Sequence, residues 1–499
     1  MNDATATPPA PAQTIEHEYW ITTDAILSAP PRIEHLSQYP EDSREIISHT
    51  LHEDATVLIE HRMTVETPLT LMFTTHDHND RIHVHYLGDT LVVDINAIRY
   101  HLPREYKAGN LLLRTQGGND SIEIDSAVVN PVTIESGPGD DTVKTAAGRT
   151  QVYAGPGNDR IVTGNGNSYV EAGDGNDDVR PLGHADLTVY GGDGRDTLRG
   201  GTANNFIDGG QDDDEIIGGR GHNILSGGDG NDWLVAGPAS NTLYTGYGFD
   251  QVDGLKANDA IYANPQSMVG PLEDVPPGYG REQAGEDIVE KLETFDWRRF
   301  FINPQDLDAT GLILQGSHDF QARVSDDLRL LVSSGAGQKL LHALGKASRT
   351  AGGPVIIKEL SEIQNGMFIK NDLPSGEKPQ ISNNAPGNPA PGGIIAYNPS
   401  FRKDGATSVV TLYHELCHAY NALTGTVFPG KSLDGEDGEK PRTLTRNVEL
   451  QAVGLPVDAP PFDFDNDPAT PALNTNPEPF SENGILKELG LPLRKQYRH

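Results

Sequence analysis

Cysteine is all but missing from this sequence: Cys417 stands alone among 499 residues, so no intramolecular disulfide can form. Positive charge is scarce too, with 38 Lys and Arg against 72 acidic residues and a formal net charge of -34. Such an excess argues against nucleic acid and anionic membrane surfaces as partners. It suits a chain that binds many cations or must stay soluble while loosely folded. No apolar run approaches the roughly 20 residues that cross a bilayer, so membrane insertion is not expected. The opening MNDATATPPAPAQT has neither a basic nor an apolar region, so a general-secretory signal peptide is not expected.

What the chain does have is length enough for several domains and a repeat. From Gly191 to Asp253 it reads as seven unbroken nonapeptides: GGDGRDTLR, GGTANNFID, GGQDDDEII, GGRGHNILS, GGDGNDWLV, AGPASNTLY and TGYGFDQVD. A ten-residue block, Pro181 to Tyr190, joins these to an earlier run reaching back to about Ala127. Weaker copies sit at Gln116–Ile122 and His76–Val84. Glycine permits tight left-handed turns, Asp offers a hard oxygen suited to Ca²⁺, and the apolar residue two places later starts a short inward-facing strand. The pattern resembles the RTX repeat, which folds as a parallel β-roll and binds calcium.

Two nonapeptides make one coil, so alternate repeats stack on one edge. The sixth position holds Asp141, Asp159, Asp177, Asp196, Asp214, Asp232 and Asp250 in one set, and Thr150, Ser168, Asn205, Asn223 and Asn241 in the other. Calcium is therefore expected along one edge, with a neutral ladder along the other, and ion binding coupled to folding. The preceding IHVHYLGDTLVVDINAIRYHLP alternates as strands that cap the roll; His83 and His85 read as strand residues, not ligands. Five segments follow: 1–60, partly disordered; 61–126, a β-rich cap; 127–254, the roll; 255–300, a Pro/Gly-rich linker with a helix in EDIVEKLETFDWRRFF; and 301–499.

The last segment is mixed: helices in DDLRLLVSS and GQKLLHALGKAS, strands in PVIIKEL and GIIAYNP, an α+β pattern. It contains YHELCHAYNALTG. On a helix, His414 and His418 share one face and can reach a single ion, with Glu415 placed to take a proton from water. Gly425 ends that helix, and Cys417 reads as a small core residue. A zinc site needs a third ligand. A metzincin would carry a histidine six residues after His418, where this chain has Thr424. Glu449, in a helix read over TLTRNVELQAVG, supplies the gluzincin alternative; Asp434, Glu436, Asp437, Glu439 and Asp458 are rivals.

The pieces GSHDFQARVSDDLRLL, VIIKEL, IIAYNP, YHELCHAYNALTG, RNVELQAVGLP and SENGILKELGLPLRKQY resemble, in order, the NleD-type zinc metallopeptidases of bacterial type III effectors. The resemblance runs from about Ile302 onward and implies a zincin-like fold, Zn²⁺ held by His414, His418 and Glu449, and hydrolysis of a host-cell protein with Glu415 as base. The long roll departs from that family's usual single small domain. Arg446, read one turn before Glu449, is an oxyanion candidate, with Tyr397 and Tyr497 behind it. The strand Ile394–Tyr397 is expected to pair with an extended substrate. A secreted effector is one reading, exported by a type III or type I route and acting in the host cytoplasm. A calcium-dependent binding or adhesion module with a non-catalytic zinc helix is the other.

Overall fold

The computed structural model describes residues 15–22, 31–35, 45–63, 70–103, 109–256, 259–263, 310–360, 366–373, 377–400, 407–434 and 443–497. The helix expected in EDIVEKLETFDWRRFF and the rival acids Glu436, Asp437 and Glu439 lie outside these residues. The chain divides into two compact units, residues 1–204 and 205–499. That division falls inside the repeats, not after them.

In the first unit, strands Glu45–Glu53, Leu58–Met63 and Thr70–Thr74 pair antiparallel, as do Arg81–Leu87, Thr90–Ile95 and Ile98–His101. The region before residue 60 thus carries strands, including His17–Trp20, which runs beside Ile98–His101. From Asn110 the chain coils as parallel strands. Asn110–Arg114, Val132–Glu135, Thr150–Tyr153, Ser168–Asp174 and Leu187–Asp193 line one sheet. Ser121–Ile124, Thr142–Lys144, Arg160–Thr163, Asp178–Pro181 and Thr197–Arg199 line the other. Val152 pairs with Val170, one coil on, so two nonapeptides close each turn as the spacing requires. The inward residues Val143, Ile161, Val179 and Val189 are fully buried, which gives the coil its core. Where the chain turns, glycine is obligatory: Gly175 sits at φ +138°, and a Cβ there would overlap the carbonyl of Gly157.

The second unit opens with repeat strands of the same kind: Asn205–Gln211, Asn223–Asp229, Asn241–Tyr244 and Ala260–Tyr262 in one sheet, Glu215–Ile217, Trp233–Val235 and Gln251–Asp253 in the other. An α+β region follows, so the expected fold class holds. Its four-stranded sheet contains β1 (Leu312–Gln315), β2 (Val355–Glu359), β3 (Gly366–Lys370) and β4 (Gly393–Tyr397), in the order β1-β2-β4-β3. The first three neighbours are parallel, and β3 runs antiparallel to β4. The edge strand β3 was not expected from sequence. Because β4 lies between β2 and β3, the expected pairing of Ile394–Tyr397 with a substrate is corrected: both its edges are taken.

Among the described residues, five helices accompany this sheet: α1 (His318–Ser333), α2 (Gly335–Ala351), α3 (Ser408–Thr424), α4 (Asn447–Val453) and α5 (Glu482–Glu488). Ser334 ends α1 and caps α2, its hydroxyl accepting the Gly337 N–H at 2.9 Å, so the two helices meet at a sharp corner. Helix α3 packs against α1, α2, α5 and β3. It is buried nearly all round and ends at Gly425, whose φ of +72° and contact with Gly387 leave no room for a side chain. A hairpin of β5 (Lys431–Asp434) and β6 (Thr443–Arg446) precedes α4. The helix expected over TLTRNVELQAVG is therefore shorter, its first four residues being strand.

Candidate functional site

Three side chains converge beside the middle of α3. His414 and His418 come from successive turns of the helix, and Glu449 from the first turn of α4. Their Nε2 atoms stand 3.0 Å apart, and the Glu449 Oε2 lies 3.1 Å from His418 and 3.6 Å from His414. Three ligands of a tetrahedral zinc, each about 2.0–2.1 Å from the ion, would stand about 3.3 Å apart. The donor set thus fits that ion, with two imidazoles and one carboxylate. Both histidines are buried. Burial opposes charge on His414, but its bonds to Glu449 and Glu482 prevail and push it up to about 10. Glu449 feels the converse: burial is outweighed by the two histidines, which hold its carboxylate far below the usual range.

An outer layer supports this triad. Glu482, on α5, accepts from His414 Nδ1 at 2.8 Å and receives Arg494 at 3.0 and 3.1 Å. A carboxylate behind a ligating histidine fixes the ring's tautomer and orientation. Neither Glu482 nor Arg494 was singled out from sequence; no motif marks them. Tyr497 was. Its backbone N–H donates to both Asp434 oxygens at 2.9 and 3.0 Å, its ring lies 6.3 Å from that of His414, and its hydroxyl bonds Glu449. Burial and that carboxylate push the phenol upward.

Glu415 is 7% exposed and faces the edge strand: the Phe368 N–H donates to it, and Gly366 lies against its methylene. Burial pushes its carboxyl up, against the pull of His418 and His414, toward the range where a general base works. Cys417, between these residues, is wholly buried.

Other expected participants lie elsewhere. Arg446 ends β6 instead of sitting one helical turn before Glu449, and its side chain is exposed. The Tyr397 hydroxyl is committed to Asp327 and to the Ser408 carbonyl. Asp434 holds the Tyr497 backbone, and the Asp458 N–H donates to Ser432. In the first unit, His85 and Asp94 do meet at 3.0 Å beside His83, but Arg99 takes both oxygens of Asp94 at 2.6 and 2.7 Å. That guanidinium already neutralises the carboxylate a metal would need.

The expected Asp edge is a ladder of carboxylates. In the first unit the backbone N–H of Asp80 donates to Asp120, then Asp120 to Asp141, Asp141 to Asp159 and Asp159 to Asp177, each at 2.7 Å, and Asp177 to Asp196 at 2.8 Å. In the second unit Asp214 donates to Asp232 and Asp232 to Asp250, at 3.0 and 3.1 Å. Asp80 and Asp120, from the weaker copies, are further rungs of the same ladder. The second oxygens of Asp80, Asp159, Asp177 and Asp232 are buried with no hydrogen-bond partner. Burial pushes Asp141 up to about 6, Asp177 to about 7, and Asp159 and Asp232 to about 8. Buried, unpaired hard oxygens are what a calcium ion requires. On the other edge, Thr150 and Ser168 bond carbonyls within their own turns, and Asn205, Asn223 and Asn241 bond one another at 2.7 and 2.6 Å, ending on Asp259.

Comparison with known families agrees at the coarser level. Residues 308–497 match the peptidase M91 family, described as effector protein. Residues 153–181, 190–225 and 226–261 match the RTX calcium-binding nonapeptide repeat. No curated protein and no solved structure matches the chain. The chain thus joins calcium-binding repeats to a region resembling effector peptidases.

Proposed function

We propose that the second unit is a zinc-dependent metalloendopeptidase that cleaves an extended segment of a host-cell protein, acting as a secreted effector. The convergence of His414, His418 and Glu449 within 3.0–3.6 Å, with the Glu415 carboxylate beside them, carries this reading. Zinc, when bound, supplies Lewis acidity toward a carbonyl and acidifies a water. The protein's own residues do the rest. Glu415 takes the proton from the attacking water and returns it to the leaving amine. Glu482, held by Arg494, keeps the His414 ring turned so that Nε2 faces the site. The outer edge of β3, beside Glu415, pairs with no strand among the described residues, and there an extended substrate adds as a further strand.

Zinc content of the full chain tests this. One zinc per chain is expected, lost in both His414→Ala and Glu449→Ala. Zinc retained without Glu449 moves the third ligand to another acid, and a folded chain with no zinc overturns the proposal. Tyr497, whose hydroxyl bonds Glu449, is our candidate donor to the developing oxyanion in place of the exposed Arg446. Tyr497→Phe is expected to lower kcat by about 10²-fold, with KM and zinc content unchanged. If Arg446→Ala instead gives that loss and Tyr497→Phe none, the assignment reverses.

A further inference from the structure

The short helix α5 touches two different things. At its first residue, Glu482 accepts from the His414 Nδ1. At its last, Glu488 takes the hydroxyl of Tyr244, on a repeat strand, at 3.2 Å. The next carbonyl, that of Leu489, accepts from His222 at 3.1 Å and from Thr242 at 3.4 Å, both also on or beside repeat strands. Six residue steps of helix span about 9 Å, so one stiff rod joins the last coils of the roll to a candidate metal ligand. Its apolar side is locked, with Ile485 and Leu489 fully buried. Glu488 also caps α2, accepting the N–H groups of Gly335 and Ala336 at 3.0 and 2.7 Å.

A second tie runs through α1. Asp229 belongs to the GGDGND turn that also carries Asp232, and it takes Arg329 at 2.9 Å. Arg329 bonds Asp326 at 2.8 Å on the same helix. One residue on, Asp327 accepts from the Ser408 hydroxyl, at the first turn of α3, at 2.8 Å and from Tyr397 at 2.8 Å. The coils between Asn205 and Tyr262 therefore serve as part of the wall of the peptidase, and both contacts lead to α3.

We propose that these last coils are a calcium-ordered seat for α5, so that calcium on the Asp214, Asp232 and Asp250 edge fixes Glu482 and, through it, the imidazole of His414. The inference rests on the zinc-peptidase reading and adds a direction of control. Without calcium the coils lose order, the anchors at Tyr244 and His222 loosen, and Glu482 no longer holds one orientation. Glu482 is a positioning residue: it touches the ligand and not the reacting atoms. Loss of such an outer carboxylate weakens metal binding by about 10- to 100-fold. A seat that loosens without leaving should cost the lower part of that range.

The test is the zinc dissociation constant of the full chain, read by competition with a chromophoric chelator, with and without calcium. Zinc is expected to bind about tenfold more tightly in calcium. The pair Tyr244→Phe and His222→Ala should hold the calcium-free value in both conditions while its roll still orders with calcium by far-UV circular dichroism. Glu482→Gln should bind zinc weakly in both. Hydrogen exchange in residues 482–489 should slow with calcium in the parent chain and not in the paired variant. An unchanged zinc constant in the parent, or a paired variant that responds as the parent does, overturns the coupling alone. No zinc binding in either condition overturns the coupling together with the peptidase reading.

Discussion

Replacing Glu415 by Gln is expected to lower peptide hydrolysis by about a thousandfold while zinc stays bound. The substitution keeps the size of the side chain and its contact with Gly366, and the amide oxygen can still accept the Phe368 N–H. Only the ability to take a proton is removed. Glu415 is not one of the three convergent donors, so metal content should not change. The measurement is single-turnover cleavage of a peptide library by the full chain, followed by mass spectrometry, beside zinc content. An active Glu415→Gln protein would remove the carboxylate from the chemistry. A parent chain that binds zinc and cleaves nothing would favour the binding-module alternative.

The second large effect is withdrawal of calcium, expected to melt the repeats. Asp159, Asp177 and Asp232 each offer one oxygen to the preceding rung's N–H and keep the other, buried, without a hydrogen bond. An ionised carboxylate buried without a partner costs several kcal/mol. A cation bound a thousandfold above its Kd contributes about 4 kcal/mol per site. Several rungs in series make the roll depend on the ion. Trp233, whose indole donates to Asp253 at 2.7 Å, gives a fluorescence reading of the last coils once Trp20 and Trp297 are replaced by Phe, and circular dichroism reads the whole. Asp159→Asn separates the causes, because the amide oxygen still accepts the Asp141 N–H while the charge is gone. That variant should bind less calcium and lose less order when calcium is removed. An unfolding transition indifferent to calcium would make the ladder purely structural.

Much of this was legible because the signals are local. The i, i+4 histidines and the nine-residue period each fit within a turn or a coil, so spacing alone placed His414, His418 and the Asp edge. Glu449 was readable as an acid on a second helix, but the start of that helix was not: Thr443–Arg446 pairs with Lys431–Asp434, and tertiary pairing overrides the helical pattern. Strand β3, GMFIK, is as long as β2 and β4 but lacks the adjacent isoleucines that mark those two as strands. Glu482 lies 68 residues from His414, in a tail whose role comes from packing alone. The division at residues 204 and 205 has no compositional mark, since repeats of one kind stand on either side.

The solitary thiol has a use that its packing creates. Cys417 is sealed among the residues of α3, one step from His418 and two from Glu415, and no second thiol exists to confuse the reading. A small alkylating reagent can meet it only when that helix parts from its neighbours. Its labelling rate is therefore a stopwatch on the opening of α3, run in the native state and without denaturant. Comparing that clock with and without each ion would time how firmly each one keeps the helix shut.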